Sequence, residues 1–254
     1  MHKLLGFISI IIPAYNEEKR ILPTLQALST FCEQNLERYE IIVVDDGSTD
    51  QTWSLVKDVL TDPFVHVVRL SKNKGKGYAV KQGMLRAQGQ YRFFTDADLP
   101  YELSCFLTAI DAFNSYGCDM VIGDRDLPES FGGSGLSCVK RIGGIIFSAV
   151  VNGLLKIDIK DPQCGFKGFT GDTAKKIFLK SNVCGYAFDV EIFILARELN
   201  LYIQRIPVTL VQSQHSKIHM PRDPLFMLTD ILRLYSTQRK GLRSPEITPV
   251  VSQI

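Results

Sequence analysis

FISIIIPAYNEE, Phe7 to Glu18, is the stretch on which the fold turns. Phe7 to Ile12 is an apolar, largely β-branched run, interrupted only by Ser9 and ended by Pro13. A strand with one face in water alternates; a continuous run marks a strand buried on both faces, as in a parallel sheet covered by helices. Beyond it, Asn16 is placed to cap a helix in which Ile21, Leu25, Leu28 and Cys32 recur at helical spacing, with Pro23 in its first turn. The pattern then repeats. Ile41 to Val44 is a second buried strand, ending in Asp45, Asp46, Gly47 and Ser48, with Thr49 or Asp50 able to cap a helix carrying Trp53, Val56 and Val59. Val65 to Leu70 leads into SKNKGKGYAVKQG and a helix bearing Val80, Met84 and Ala87, and Tyr91 to Thr95 is the next strand. Strands alternating with helices through short connections imply an α/β domain with a mostly parallel central sheet.

Such sheets bind ligands at the carboxyl ends of their strands, and every polar cluster so far falls there. Tyr15, Asn16, Glu17, Asp45, Asp46, Asp96 and Asp98 are therefore expected to line one crevice. In FFTDADLPY, Phe93 to Tyr101, a strand runs out into two carboxylates separated only by Ala97, with Pro100 turning the chain. Paired carboxylates with nothing basic beside them in sequence suit a hard divalent cation, which commonly holds nucleotide phosphates; the same aspartates also suit capping of the next helix.

Two nucleotide-binding signatures are missing. No G-x-G-x-x-G follows the first strand and no G-x-x-x-x-G-K-[ST] occurs, which leaves a sugar-nucleotide reading ahead of a dehydrogenase or a P-loop NTPase. A net charge of +2 over 254 residues argues against a nucleic-acid partner, and 45% apolar with 22% charged residues describes an ordinary globular chain. The cysteines are scattered without a C-x-x-C pair and no signal-peptide pattern opens the sequence, so a cytoplasmic setting is expected. His215 and His219 lack the companions of a zinc site.

Further along, the strand Asp119 to Gly123 delivers Arg125 to the carboxylate edge, and the glycine-rich FGGSGLS follows. Ile142 to Leu155 is the most hydrophobic segment but shorter than the roughly 20 apolar residues that cross a bilayer; it reads as a core helix or as one lying in the membrane interface. DPQCGFKGF, Asp161 to Phe169, reads as a turn carrying Lys167. Asp189 and Glu191 enter an otherwise apolar helix over Tyr186 to Leu199, and a strand over Tyr202 to Leu210 follows. The last apolar helix, Leu225 to Tyr235, has Arg222, Arg233, Arg239 and Lys240 around it, a composition that suits anionic lipid or a solvated surface.

Taken together and in order, IIPAYNEE, VVDDGSTD, NKGKGYAV, TDADLP, DPQCGFKGF and AFDVEIF resemble the family 2 glycosyltransferases of the GT-A fold, and within them the dolichyl- and polyprenyl-phosphate glucosyl- and mannosyltransferases. The resemblance covers residues 7 to 240. It implies a single catalytic domain over 1–240, with membrane-interface helices at 136–157 and 222–240 and a tail over 241–254. It implies that Pro13, Tyr15, Glu17, Asp45 and Asp46 hold base and ribose, that Gly47, Lys76 and Ala97 belong to the same nucleotide-sugar site, and that Asp96 and Asp98 hold the diphosphate through Mg2+ or Mn2+. Asp98, Arg125 and Lys217 form the implied catalytic set, with Arg125, Lys167 and Lys217 facing the acceptor phosphate and Gln163 to Lys167 shaping the substrate side. The mannosyltransferase pattern has a glutamine where Pro100 stands; that departure, with QCGFK and AFDVE, favours UDP-glucose over GDP-mannose. Many relatives also carry transmembrane helices, and no stretch here is long enough for one.

The implied reaction transfers a hexose to a polyprenyl or dolichyl monophosphate with inversion, on a protein peripheral to the cytoplasmic face of a membrane. A phosphate monoester, with its second pKa near about 6, is already a nucleophilic dianion at neutral pH. A hydroxyl acceptor would need a general base, for which Asp189 or Glu191 is the candidate. A non-catalytic nucleotide-sugar binder is the remaining rival.

Overall fold

The computed structural model describes residues 4–58, 62–125, 127, 130, 164–185, 187–211 and 251–252. The described chain runs β1 (Leu4–Ala14), α1 (Ile21–Asn35), β2 (Leu36–Asp45), α2 (Thr52–Asp58), β3 (Val65–Arg69), α3 (Lys76–Arg86), β4 (Tyr91–Phe94), α4 (Ser104–Tyr116), β5 (Met120–Asp124), β6 (Lys167–Thr170), α5 (Gly171–Lys180), α6 (Phe188–Glu198), β7 (Ile203–Pro207) and β8 (Val251–Ser252). The strands form one sheet in the order β3-β2-β1-β4-β6-β5-β7-β8.

The apolar run of β1 has the cause its sequence announces. Ile8, Ile10 and Ile12 pack on one face with Leu25, Leu28 and Cys32 of α1 and Phe106, Ala109 and Ile110 of α4. Ile11 packs on the other, with Val80 and Met84 of α3, Ile177 of α5 and Phe188 of α6. Both faces of the central strand are dry, and the one polar side chain of the run, Ser9, is fully buried with its hydroxyl donating to Glu40 and accepting from the Gly89 amide.

β1 pairs in parallel with β2 and β4, β2 with β3, and β5 with β7. Only β6 among the described strands runs against its neighbours, pairing antiparallel with β4 and β5. This strand begins inside DPQCGFKGF, which reads as a turn in sequence; four residues, KGFT, give too short a pattern for periodicity to mark. β2 is also longer than its apolar core, starting at Leu36 directly after α1.

Two local expectations change. Asn16 does not cap α1, whose N-cap position is Arg20 without a side-chain bond; Asn16 instead sits at φ 54°, a left-handed conformation asparagine tolerates, and turns toward the β2 loop. β4 ends at Phe94, so Asp96 and Asp98 lie in a turn and not on the strand. Their placement comes from below: Phe93 packs against Phe106, Phe113 and Phe166 with ring centroids 5.3, 6.1 and 5.7 Å away. Such pairs add about 0.5–1.5 kcal/mol each beyond area burial, so the strand that carries the turn is firmly seated.

The segments 136–157 and 222–240, with FGGSGLS, Gln163, Lys217 and both His215 and His219, lie outside the described residues. No helix among the described residues is long and apolar enough to cross a membrane. Cys32, Cys105, Cys118 and Cys164 are buried thiols.

Candidate active site

At the carboxyl edge of β1 and β2 the two loops are laced by side chains bonded to amides. The Asn16 amide donates to Ser48 Oγ at 2.9 Å, and the Thr49 amide returns the bond to Asn16 Oδ1 at 2.8 Å. The Glu17 amide donates to Thr52 Oγ1 at 2.7 Å and the Glu18 amide to Asp50 Oδ2 at 3.2 Å. Tyr15 stands outward from this lattice at 40% exposure, while Pro13 beneath it pairs with Val44 in the sheet.

Asp45 and Asp46 do different jobs there. Asp46, 3% exposed, accepts from the amides of Lys74 and Gly75 at 2.8 Å each and so pins the loop before α3. Burial raises its pKa, and those two amides pull the other way. Asp45 is fully buried; Oδ1 accepts from the Ser48 amide at 3.0 Å, while Oδ2 has no hydrogen-bond partner, with Arg69 Nε 3.5 Å away and the Arg69 guanidinium over the Trp53 ring. Gly47 sits at φ 69°, and a Cβ there would strike the Lys72 backbone at 2.5 Å, so only glycine lets the loops cross this closely.

The D-x-D turn completes the edge. The Leu99 amide donates to Asp96 O at 3.1 Å, and Thr24 Oγ1 of α1 donates to the carbonyl of buried Ala97 at 2.6 Å. The two carboxylates are not without basic neighbours, as the sequence alone implies. Lys76 Nζ at the start of α3 lies 2.5 Å from Asp96 Oδ1, and Arg20, bonded to Glu17 at 2.7 Å, lies 3.5 Å from Asp98 Oδ2. Both partners come from other loops, which is why linear reading missed them. Burial and then the adjacent Asp96 raise the pKa of Asp98, against the pull of Arg20. From the far side Gly165 approaches so closely that a Cβ would fall 2.5 Å from Asp96 Oδ2; its amide is held by Tyr101 Oη at 3.2 Å.

The remaining candidates separate. Arg125 follows β5 at this edge, half-buried, directly after Asp124. Asp124 forms a buried pair with Arg205 of β7, whose Nε donates at 2.5 Å. Lys167 does not face an acceptor: it is fully buried, donating to Asp189 Oδ1 at 2.7 Å and Cys164 O at 2.6 Å between the Phe94 and Phe193 rings. Asp189 and Glu191 are likewise committed. Glu191 accepts from the amides of Asn182 at 2.9 Å and Val183 at 2.9 Å, joining the start of α6 to the loop before it. Both carboxylates are thus engaged within the fold, Asp189 by Lys167 and Glu191 by the loop amides.

Asp96 and Asp98 present hard oxygen donors side by side at the sheet edge, and an ammonium already sits on Asp96. That donor set fits a divalent cation. Among the described residues no third carboxylate, imidazole or thiolate completes a metal cluster, so further ligands would be phosphate or water oxygens.

The model of the family described as glycosyl transferase family 2 matches residues 9–169, from the first strand to the antiparallel one. The chain belongs to glycosyl transferase family 2. This family 2 chain is 34% identical over 240 residues to the dolichyl-phosphate beta-glucosyltransferase of Dictyostelium discoideum, covering 90% of this chain and 73% of that protein. It is 34% identical over 244 residues to that of Saccharomyces cerevisiae, covering 89% and 73%. In fold it matches glucosyl-3-phosphoglycerate synthase of Mycobacterium tuberculosis, crystallised with Mn2+, UDP and glucosyl-3-phosphoglycerate, at a TM-score of 0.67 over 98% of this chain and 89% of that one, with 19% identity. The glycosyltransferase fold is thus GT-A, with the D-x-D turn at its carboxyl edge.

Proposed function

We propose that this glycosyltransferase moves glucose from UDP-glucose to a dolichyl or other polyprenyl monophosphate, with inversion to a β-linked product. The observation that carries the reading is the 34% identity with dolichyl-phosphate beta-glucosyltransferases over nine-tenths of the chain, a span that includes the D-x-D turn. Pro13, Tyr15, Glu17, Asp45 and Asp46 are then the base and ribose side, where the unsatisfied Asp45 Oδ2 lies. A divalent cation, Mg2+ or Mn2+, held by Asp96 and Asp98, supplies charge neutralisation for the departing nucleoside diphosphate.

The commitment of Asp189 and Glu191 to Lys167 and to loop amides bears on the acceptor. A hydroxyl acceptor needs a base, whereas a phosphate dianion attacks without one, so a lipid phosphate fits the side chains that remain. Arg125 and Lys217 are assigned to offset the charge of two phosphates brought together, and the work of the site is placement and electrostatics. The protein is placed as peripheral on the cytoplasmic face of a membrane, a reading its buried thiols support.

The test is transfer of labelled sugar from UDP-glucose and, in parallel, GDP-mannose to polyprenyl phosphate in detergent with Mg2+ or Mn2+. Label should enter the lipid phase from UDP-glucose and fall by about a thousandfold in Asp98→Ala. Release of nucleoside diphosphate without lipid labelling would move the acceptor to a hydroxyl compound, and labelling from GDP-mannose alone would change the donor.

A further inference from the structure

We propose that Lys76 is an exchanging counter-ion that couples cation binding to nucleoside diphosphate binding. It neutralises Asp96 until a divalent cation takes that carboxylate, and then turns its charge to the diphosphate. This rests on the reading above only in that the edge binds a nucleoside diphosphate; it does not depend on the sugar or the acceptor.

Two cations compete for one carboxylate. Lys76 Nζ lies 2.5 Å from Asp96 Oδ1, and Gly165 closes against Asp96 Oδ2 from the other side. A cation that binds Asp96 must approach an oxygen of this carboxylate, and with Gly165 crowding Oδ2 it meets the ammonium at Oδ1, where the two positive charges repel each other. Cation binding therefore disfavours the ion pair. The ammonium can leave at small cost, because the Lys76 and Asp96 side chains keep 20% and 34% of their exposure and ion pairs of that kind are worth at most about fivefold in an equilibrium.

The backbone beneath Lys76 is fixed, while its side chain is partly exposed, with Nζ on Asp96 and 5.9 Å from the centroid of the Phe188 ring. The Gly75 amide is held by Asp46 Oδ2 at 2.8 Å, and a Cβ at Gly75 would strike the Cys184 carbonyl at 2.5 Å. The lysine is also at the wrong end of its helix. It is the first residue of α3, where the macrodipole favours anions, and no acid stands in the first turn. The helix therefore does not explain the charge; an anion arriving at this end would satisfy both the helix terminus and the ammonium. The neighbouring cations are engaged elsewhere: Arg20 with Glu17 and Asp98, Lys74 over the Tyr78 ring, Arg69 over Trp53.

The exchange predicts two affinities that move in opposite directions in Lys76→Met. Mn2+ binding without nucleotide, followed by electron paramagnetic resonance of the full chain, should tighten by about threefold to fivefold as the competitor is removed. UDP binding in the presence of Mn2+, followed by calorimetry, should weaken by about tenfold, and the factor by which each ligand strengthens the other should shrink equally for both. Lys76→Arg should stay near wild type in both measurements. If Mn2+ affinity is unchanged or weaker in Lys76→Met, the ion pair is static and the proposal falls; if UDP affinity is unchanged, the ammonium does not reach the diphosphate and it also falls. Should Lys76→Met fail to fold, Lys76→Gln carries the same comparison. Wild-type protein that binds no UDP with Mn2+ would overturn the nucleotide-sugar reading itself, an outcome visible before any variant is made.

Discussion

Along the edge built by β1, β2 and α3, carboxylates grip backbone amides, while around β5, β6 and β7 the charges are paired with one another inside the core. Asp46 binds two amides and Asp96 meets a half-exposed lysine on the first side. Lys167 with Asp189, and Arg205 with Asp124, are sealed pairs on the second. The difference teaches how to tell a working charge from a structural one. Lys76 and Lys167 each stand beside glycine in a suggestive motif, yet one is partly solvated and replaceable while the other is fully buried and already satisfied.

The largest effect should come from breaking a sealed pair. Asp189→Ala leaves the Lys167 ammonium buried without its carboxylate and should cost about 3–5 kcal/mol in urea unfolding. Replacing both, Lys167→Met with Asp189→Leu, should recover most of that loss. A stable Asp189→Ala protein that instead lost only transfer activity would return Lys167 to the substrate side and erase the contrast.

A smaller effect, and one confined to function, is expected at Gly165. An alanine there would push the Asp96 carboxylate from its place, because the new Cβ falls 2.5 Å from Oδ2. Transfer should drop by about 10- to 100-fold with Mn2+-dependent UDP binding weakened, while thermal melting stays close to wild type.

The mildest change sharpens the comparison through pH. Burial and Asp96 raise the Asp98 carboxyl above its ordinary 3.8, so the folded chain holds that proton more tightly than the unfolded one. Stability is then lost as pH rises from the ordinary value through the raised one. Asp98→Asn removes the charge, and without ligand it should melt a few degrees above wild type at pH 7, with the gap closing as the pH falls toward 4. A gap that widened toward acid would mean that Arg20 outweighs burial.

How far the sequence could be read follows the same division. The parallel half was legible because runs such as FISIII and IIVV have no other use than a strand dry on both faces. The D-x-D turn and the loops at 15–17 and 45–48 were placed at the right edge by that topology alone. Lys76 on Asp96 and Arg20 on Asp98 were not legible, since each joins loops distant in sequence. Lys167 reads as facing substrate because a strand of four residues is too short for its sequence pattern to reveal burial. The lattice of Asn16, Ser48, Asp50 and Thr52 leaves one signal, a cluster of short polar side chains after each strand, which reads as capping; Asp50 does accept from the Thr52 amide at the start of α2, and the cluster also ties two loops together.

β6 carries a consequence for how the enzyme is made. Because this strand runs backward between β4 and β5, it contributes to the crevice the residues that precede it, and Gly165 lies beside Asp96 three residues before the Gly168 that pairs with Phe93. The pairings that build this edge, β1 with β4 and β4 with β6, join segments far apart in the chain, the kind of contact that forms late and slowly. A newly synthesised chain should therefore become compact before it becomes competent, and the return of UDP binding on refolding should lag the return of helical signal, reporting the closing of the sheet at its centre.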